Sequence, residues 1–329
     1  MPYTPGRRIL VLTHTGREDA ISAALQATRM FAEEGLVSVM LEQDVAAIRA
    51  AAGDPPEFAP EALGVDCELE DITLGLVLGG DGSVLRAADF VRGHNVPLLA
   101  VNLGHVGFLA ESERTDLHRT VQAIASESYV VIERMALDVV VHVEGREVAR
   151  TWALNEASVE KSHRERMLEV VVSVDNSPLT AFGCDGVVLA TPTGSTAYAF
   201  SGGGPVVWPS VEALLCVPIS AHALFTRPLV VGPRSTIGVD VLTRTRETGV
   251  LWCDGRRTVE LPPQARIEVS RSAEPVRLAR LNPTPFAERL VRDVAAELGC
   301  NSIDLALDLS IQSDLQTRFR LPVANADED

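Results

Sequence analysis

The sequence predicts an α/β domain built on an open, mostly parallel sheet, followed by a β-rich region. Three observations carry this. Short apolar runs alternate with helical spacing up to about Ser126. From Tyr129 to about Val269 the chain changes to short strands separated by turn residues. The chain is 46% hydrophobic but only 5% aromatic. Its core must therefore be filled by Val, Leu, Ile and Ala, which suit buried parallel strands and the helices that cover them.

Arg8 to Thr13 reads as a short apolar strand. Glu18 to Glu34 has helical spacing, with Ile21, Leu25 and Met30 on one face, and Gly35 stops it. Val37 to Leu41 is a second strand, and the Pro-rich, acidic stretch Asp54 to Pro60 is a surface loop. Leu74 to Leu78 is a buried strand that runs into Gly79-Gly80-Asp81-Gly82, after which Ser83 opens a helix to about Arg92. Pro97 to Val101 is the next strand. This alternation implies parallel strands with crossover helices on both faces. In the second region Leu137 to Val143, Leu168 to Val174 and Val187 to Ala190 are the clearest strands, and Asp175-Asn176 is a hairpin turn signal. The expected division is 1–128, 129–290 and a C-terminal segment 291–329.

Charge and cysteine usage narrow the function. With 29 Lys and Arg against 45 Asp and Glu, the net charge is −16. Such a chain repels nucleic acid and anionic lipid at long range. A small anionic substrate needs only local amides and arginines. The five cysteines are scattered without a C-x-x-C pair, which indicates neither a disulfide framework nor a zinc site. The N-terminus shows no charged-then-apolar leader. The apolar stretch from Leu214 to Phe225 is broken by Pro218 and His222 and is too short to span a bilayer. The expected location is cytoplasmic, with no membrane partner.

Four segments are candidates for chemistry. Gly79-Gly80-Asp81-Gly82-Ser83 stands at the carboxyl end of a strand and the start of a helix, where free amides and the helix dipole suit phosphate. A tight turn with Asp81 as helix N-cap is the plain alternative. A Walker A loop is excluded, because Lys161, the single lysine, sits in Glu160-Lys161-Ser162. The second segment is Asn102-Leu103-Gly104-His105-Val106-Gly107-Phe108-Leu109, whose glycines again suggest close backbone approach. The third is Leu154-Asn155-Glu156, an amide and a carboxylate in an apolar context. They are costly to bury without partners and able to read a base edge or a ribose diol. The fourth runs from Gly183-Cys184-Asp185-Gly186 through Thr191-Pro192-Thr193-Gly194-Ser195-Thr196-Ala197-Tyr198-Ala199-Phe200-Ser201 to Gly202-Gly203-Gly204-Pro205. Its small hydroxyls and glycines describe a polar cradle in which Tyr198 packs against a base.

Together and in this order, from about Ile9 to Leu290, these segments resemble the NAD kinase family. The G-G-D-G loop alone is shared with diacylglycerol kinases, sphingosine kinases and phosphofructokinases; the remaining segments are not. His222 to Pro228 and Cys253-Asp254-Gly255 are also similar to family segments. The resemblance implies the diacylglycerol kinase-like/phosphofructokinase-like superfamily fold, a substrate site between an N-terminal α/β and a C-terminal β-rich domain, and a homodimer or homotetramer with the site near subunit contacts. Carried over by position, Asp81 is the general base. Gly79, Gly80, Gly82 and Ser83 form the phosphate loop. Asn155 and Glu156 contact NAD, Asp185 meets its nicotinamide half, and the run from Thr196 through Ala197, Tyr198, Ala199 and Phe200 to Ser201 holds the adenosine. Arg86 and Arg166 lie near phosphate.

Two departures stand out. Ser83 replaces the usual Thr but keeps the hydroxyl. The segment from Val291 to Arg318 looks inserted, and its Ile303, Leu305, Leu307, Leu309 and Ile311 alternate with period two, as in a half-buried strand or an intersubunit contact.

The implied activity is phosphoryl transfer from ATP or polyphosphate to the adenosine 2′-hydroxyl of NAD, giving NADP. A carboxylate accepts the hydroxyl proton as the bond to phosphorus forms. No carboxylate cluster is dedicated to a metal, so Mg²⁺ is expected to arrive on the nucleotide. A lipid kinase and a non-catalytic NAD-binding regulator are the alternatives.

Overall fold

The computed structural model describes residues 6–14, 16–52, 59–103, 109, 112–113, 116–162, 167–222, 227–242, 248–281, 286–287 and 290. Expectations for the 53–58 stretch, His105, Arg166 and the segment 291–329 lie outside the described residues.

The chain opens with β1 (Arg8–Leu12), α1 (Glu18–Glu33), β2 (Val37–Leu41), α2 (Glu42–Ala52), β3 (Glu61–Leu63), β4 (Ile72–Leu78), α3 (Asp81–Phe90), β5 (Leu98–Asn102), β6 (Ser112–Glu113) and α4 (Leu117–Ala125). Helix α1 ends where Gly35 takes a φ of +70°, a conformation favoured by glycine. The parallel order is β3-β2-β1-β4-β5, to which β6 adds beside β5. Two strands from the second half complete this sheet: β20 (Val276–Arg280) lies parallel to β5, and β7 (Val130–Arg134) pairs antiparallel with β20 at the edge. Helices α1, α2 and α4 cover one face with Ala23, Ala27, Phe31, Ile48, Val121 and Ile124. Helix α3 covers the other with Val84, Ala87 and Ala88, sharing that core with Leu154 from the second half.

Two antiparallel sheets make up the β-rich region. One has the order β15 (Leu229–Val231), β14 (Leu214–Ile219), β13 (Gly186–Ala190), β10 (Glu156–Lys161), β17 (Gly249–Cys253), β18 (Arg257–Leu261). The other has the order β12 (Ser177–Cys184), β11 (Leu168–Val174), β16 (Ile237–Val241), β19 (Arg266–Arg271), β8 (Leu137–Val143), β9 (Arg146–Ala153). They pack face to face over one apolar core to which Val139, Val170, Val187, Leu189, Leu251 and Ile267 contribute. The β11–β12 hairpin turns at Asp175 and Asn176, both with positive φ, as the sequence predicts for a two-residue turn. A short helix, α5 (Tyr198–Ser201), packs its Ala199 against Val188, Ala190, Leu215 and Val217 on the outer face of the first of these sheets.

Three elements differ from the sequence expectation. Helix α3 begins at Asp81, two residues before Ser83, because extended Gly80 (φ −81°, ψ −171°) is the N-cap. Asp81 is therefore the first helical residue and not the cap. Helix α2 follows β2 without a connecting loop, and its buried side is Val45 and Ile48 with the polar Asp44, so its apolar face is weak. Strand β7 is mostly exposed, which hides its place in the first sheet.

Candidate active site

The phosphate-loop segment lies at the carboxyl end of β4. Gly79 donates its N–H to the Val101 carbonyl at 2.9 Å, which draws the loop against β5. Its φ is +157°, and a β-carbon there would collide with Ser83. No larger residue fits without moving the first turn of α3. A β-carbon on Gly82 would meet nothing within 4 Å, so that face of the helix start is open. The Leu109 N–H donates to Asp81 Oδ1 at 3.1 Å. This ties the loop after β5 to the carboxylate and fixes its orientation. Arg86, one turn along α3, donates to the Thr13 carbonyl at 3.4 Å. With Thr13, His14, Asp44, Ser83 and Phe90 it lines a cavity of about 170 Å³ at the carboxyl ends of β1, β2 and β4. Thr13 and His14 were not among the sequence candidates. Their signal is position alone, at the end of the first strand.

Asn155 and Glu156 stand where β9 leaves for β10, and both are only 8% exposed. Their backbone is held from two sides. The Asp254 carboxylate accepts the N–H groups of Leu154 (2.9 Å), Asn155 (2.7 Å) and Glu156 (3.3 Å). The Thr191 N–H donates to the Asn155 carbonyl at 2.9 Å, and its hydroxyl to the Leu154 carbonyl at 2.6 Å. Gly194 lies so close that a β-carbon would overlap the Asn155 backbone. The side chains are treated differently: Asn155 Oδ1 and Glu156 Oε2 are buried with no hydrogen-bond partner among the described residues. Burial, then the charge of Asp254, pushes the Glu156 carboxyl up to about 7, with Glu160 adding to this and the Tyr198 backbone N–H opposing it.

Glu156 opens on a shallow cleft of about 360 Å³ that it lines with Ser158, Glu160, Tyr198, Trp252 and Gly255. Tyr198 is 38% exposed, and burial followed by the charges of Glu160, Glu156 and Asp185 raises its phenol. Asp185 lies beside the end of β10, where its carbonyl accepts the Lys161 N–H at 3.1 Å. Its carboxylate pairs with Lys161, and this pairing holds it below the usual carboxylate range.

The hydroxyl-rich run is more ordered than a loop. Thr193–Thr196 is a 3₁₀ turn that leads into α5. Several of its polar groups face inward as scaffolding. Ser195, fully buried, donates to the Pro192 carbonyl at 2.7 Å and accepts the Val207 N–H at 2.9 Å. Thr196 donates to the Thr193 carbonyl at 3.3 Å. The Ala199 side chain is sealed in the core and its carbonyl accepts the Gly204 N–H at 2.8 Å, so of the expected adenosine cradle it presents no side chain to the cleft. Thr196, Ala197, Tyr198, Phe200 and Ser201 keep accessible surface. The described cysteines, Cys67, Cys184, Cys216 and Cys253, are free and buried.

The family models decide what this arrangement belongs to. Residues 9–129 match the ATP-NAD kinase N-terminal domain, and residues 154–281 match the ATP-NAD kinase C-terminal domain. The chain belongs to the NAD kinase family. The NAD kinase of Leifsonia xyli is 55% identical over 287 residues, covering 87% of this chain and 93% of that protein. The NAD kinase of Thermobifida fusca is 54% identical over 298 residues, covering 89% and 90%. Among solved structures, yeast NADH kinase complexed with NADH superposes with a TM-score of 0.79 at 22% identity, covering 89% of this chain and 88% of its own. An Archaeoglobus fulgidus NAD kinase in complex with ATP gives 0.63 at 21% identity, covering 84% and 94%. At those identities the likeness concerns the fold, and the fold is that of the NAD kinases.

Within this NAD kinase fold the two halves of the site are joined. Leu109, which donates to Asp81, packs in the same core as Leu154. Asp254, Arg257, Asp89 and Trp152 form a second connection. The sequence signalled only the first of these, within Cys253-Asp254-Gly255. Among the described residues no helix is long and apolar enough to cross a membrane.

Proposed function

We propose that this NAD kinase family member transfers the terminal phosphoryl group of ATP to the adenosine 2′-hydroxyl of NAD, with Asp81 as general base. The observation that carries the acceptor site is the pair of orphaned oxygens, Asn155 Oδ1 and Glu156 Oε2, on a backbone clamped by Asp254 and Thr191. A buried acceptor without a donor costs about 1–3 kcal/mol, so a fold that rigidly maintains two of them expects a ligand. Ribose hydroxyls and a base amino group donate to such oxygens. Tyr198 supplies aromatic surface in the cleft beside Glu156, Phe200 is exposed on the same short helix, and Asp185 supplies a carboxylate for the nicotinamide half.

The donor's phosphates fit the opposite end. The Gly79 and Ser83 N–H groups are taken by the Val101 and Gly80 carbonyls, so the phosphates would meet the start of α3 between Gly80 and Gly82, where the face at Gly82 is open and the helix dipole suits an anion. Arg86 lines the adjoining cavity. In the transfer, the 2′-oxygen forms its bond to phosphorus as the bond to the departing ADP breaks, and the hydroxyl proton passes to the Asp81 carboxylate. A ribose hydroxyl is too weak an acid to be ionised beforehand. Proton acceptance during bond formation is what a carboxylate contributes. Among the described residues no group of three or more His, Cys, Asp or Glu side chains is placed to hold a cation. Magnesium enters as the counter-ion of the donor phosphates, held largely by phosphate and water oxygens.

The proposal extends to a homodimer or homotetramer in the cytoplasm, an assembly for which exposed Phe200, Trp208 and Trp252 offer contact area. Light scattering of the purified protein measures the mass. The function itself is tested by incubating the protein with NAD, Mg²⁺ and either ATP or polyphosphate, and reading NADP with an NADP-specific dehydrogenase. NADP formation with ATP supports the proposal, and the polyphosphate arm identifies the donor range. Protein that binds NAD but forms no NADP with either donor would be a regulator, and the proposal would fall.

A further inference from the structure

Asp254 carries more interactions than a structural turn residue needs. It is 6% exposed and follows β17, where its neighbour Gly255 (φ +62°) closes the turn into β18. One of its carboxylate oxygens accepts the Asn155 and Glu156 N–H groups, and the other accepts the Leu154 N–H and the Arg257 guanidinium at 2.9 Å. Arg257 in turn reaches Asp89 on α3, and the Trp152 indole N–H donates to the same Asp89 oxygen at 3.1 Å. Trp152 is flanked by two guanidiniums, Arg92 at 4.4 Å and Arg257 at 4.5 Å from its ring centre. An unbroken polar chain therefore runs from the helix that starts at Asp81, through Asp89, Arg257 and Asp254, to the amides of the residues that present the orphaned oxygens.

We infer that Asp254 is a positioning residue for NAD, and that the Asp254–Arg257–Asp89 chain sets the Asn155–Glu156 segment in register with helix α3. The geometry explains why a carboxylate is required. Three amides and a guanidinium are all donors, and only an acceptor with both oxygens free of hydrogen serves them together. A second consequence follows for Glu156. Its carboxyl faces the charges of Asp254 and Glu160 and the Tyr198 backbone N–H. Asp254 therefore positions the segment and also biases the proton on its acidic member.

The inference rests on Asn155 and Glu156 being the NAD contacts, and the experiment separates the two claims. Asp254→Asn keeps the size of the side chain but turns an NH₂ toward donors. The expected result is a KM for NAD raised about 10- to 100-fold, as for loss of hydrogen bonds to a charged group, with the KM for ATP unchanged. NAD affinity is also expected to change as Glu156 titrates, and in Asp254→Asn, which removes a neighbouring negative charge, that change moves to lower pH. Asp89→Asn and Arg257→Lys, both at partly exposed sites, raise the NAD KM less, and their double mutant shows non-additive coupling. These two carry the test where Asp254→Asn does not fold.

A folded Asp254→Asn protein with unchanged NAD affinity and an unmoved pH step would overturn the inference. So would KM values for both substrates that rise together, or strict additivity in the Asp89/Arg257 cycle. Glu156→Gln is the control on the underlying reading. If it binds NAD as the wild type does, the site assignment fails. If it binds NAD weakly while Asp254→Asn binds normally, only the positioning role fails.

Discussion

Gly194 and Asn155 meet backbone to backbone: a β-carbon on Gly194 would overlap the carbonyl carbon and oxygen of Asn155. The contact seats the 3₁₀ turn of Thr193–Thr196 on the segment that precedes β10, so the turn that leads into Tyr198 and the Asn155–Glu156 segment are a single packed unit. Gly194→Ala must separate them. It is expected to destabilise the protein by about 1–3 kcal/mol, as overpacking does, and to lower NAD affinity at the same time. Thermal melting and NAD titration of the same sample check both.

Ser195 gives the contrasting case. Its hydroxyl is used up inside the fold by Pro192 and Val207. Ser195→Ala orphans the Val207 N–H and is expected to cost about 1–3 kcal/mol of stability while leaving the KM for NAD near the wild-type value in the protein that remains folded. Urea denaturation with parallel kinetics reads the difference.

Glu156 makes stability pH-dependent. Its carboxyl is raised from 4.5 to about 7 in the folded protein, so the folded state favours the protonated form. The associated stabilisation is complete below the unfolded value, declines as pH rises through the interval between the two, and is lost above the folded value; it amounts to about 3 kcal/mol. Glu156→Gln, which stays neutral, is expected to flatten the pH dependence of Tm across that interval and to melt at a higher temperature than wild type at pH 8. An unchanged slope would mean that Glu156 is not the group responsible.

Arg86 is expected to act on the donor. Arg86→Gln removes a charge from the cavity beside Ser83 and should raise the KM for ATP about tenfold, the cost of one charge-assisted hydrogen bond, with the KM for NAD unchanged. Initial rates over a grid of both substrates separate the two constants.

Much of this was legible in the sequence where the signal is local. Val37–Leu41 and Leu168–Val174 are strands at the predicted boundaries, because apolar runs and turn residues bracket them. The Asp175-Asn176 hairpin follows from two residues that tolerate positive φ. Asn155 and Glu156 stand out in the sequence because adjacent polar groups in an apolar context demand an explanation, and the structure buries both. The direction of the hydroxyls was not legible. Thr191 and Ser195 look like ligand-facing groups in a glycine-rich run, yet both are buried and bonded to the backbone. The Asp89–Arg257–Asp254 chain could not be read either, since its Asp89–Arg257 link spans 168 residues and Asp254 reaches the Leu154 N–H across 100. Only the fold brings α3, β18 and the β9–β10 junction together. Nor does local pattern place β20 beside β5, a pairing that returns the chain from the β-rich region to the first sheet.

The central claim is that Asp81 takes the proton from the 2′-hydroxyl, and single-turnover kinetics of Asp81→Asn test it most directly. Asparagine keeps an oxygen for the Leu109 N–H but cannot accept the substrate proton. The account predicts a folded protein that binds NAD as the wild type does, with the rate of NADP formation lowered about 10²- to 10⁴-fold. Near-normal turnover in that variant would contradict it and return Asp81 to a purely structural place at the start of α3.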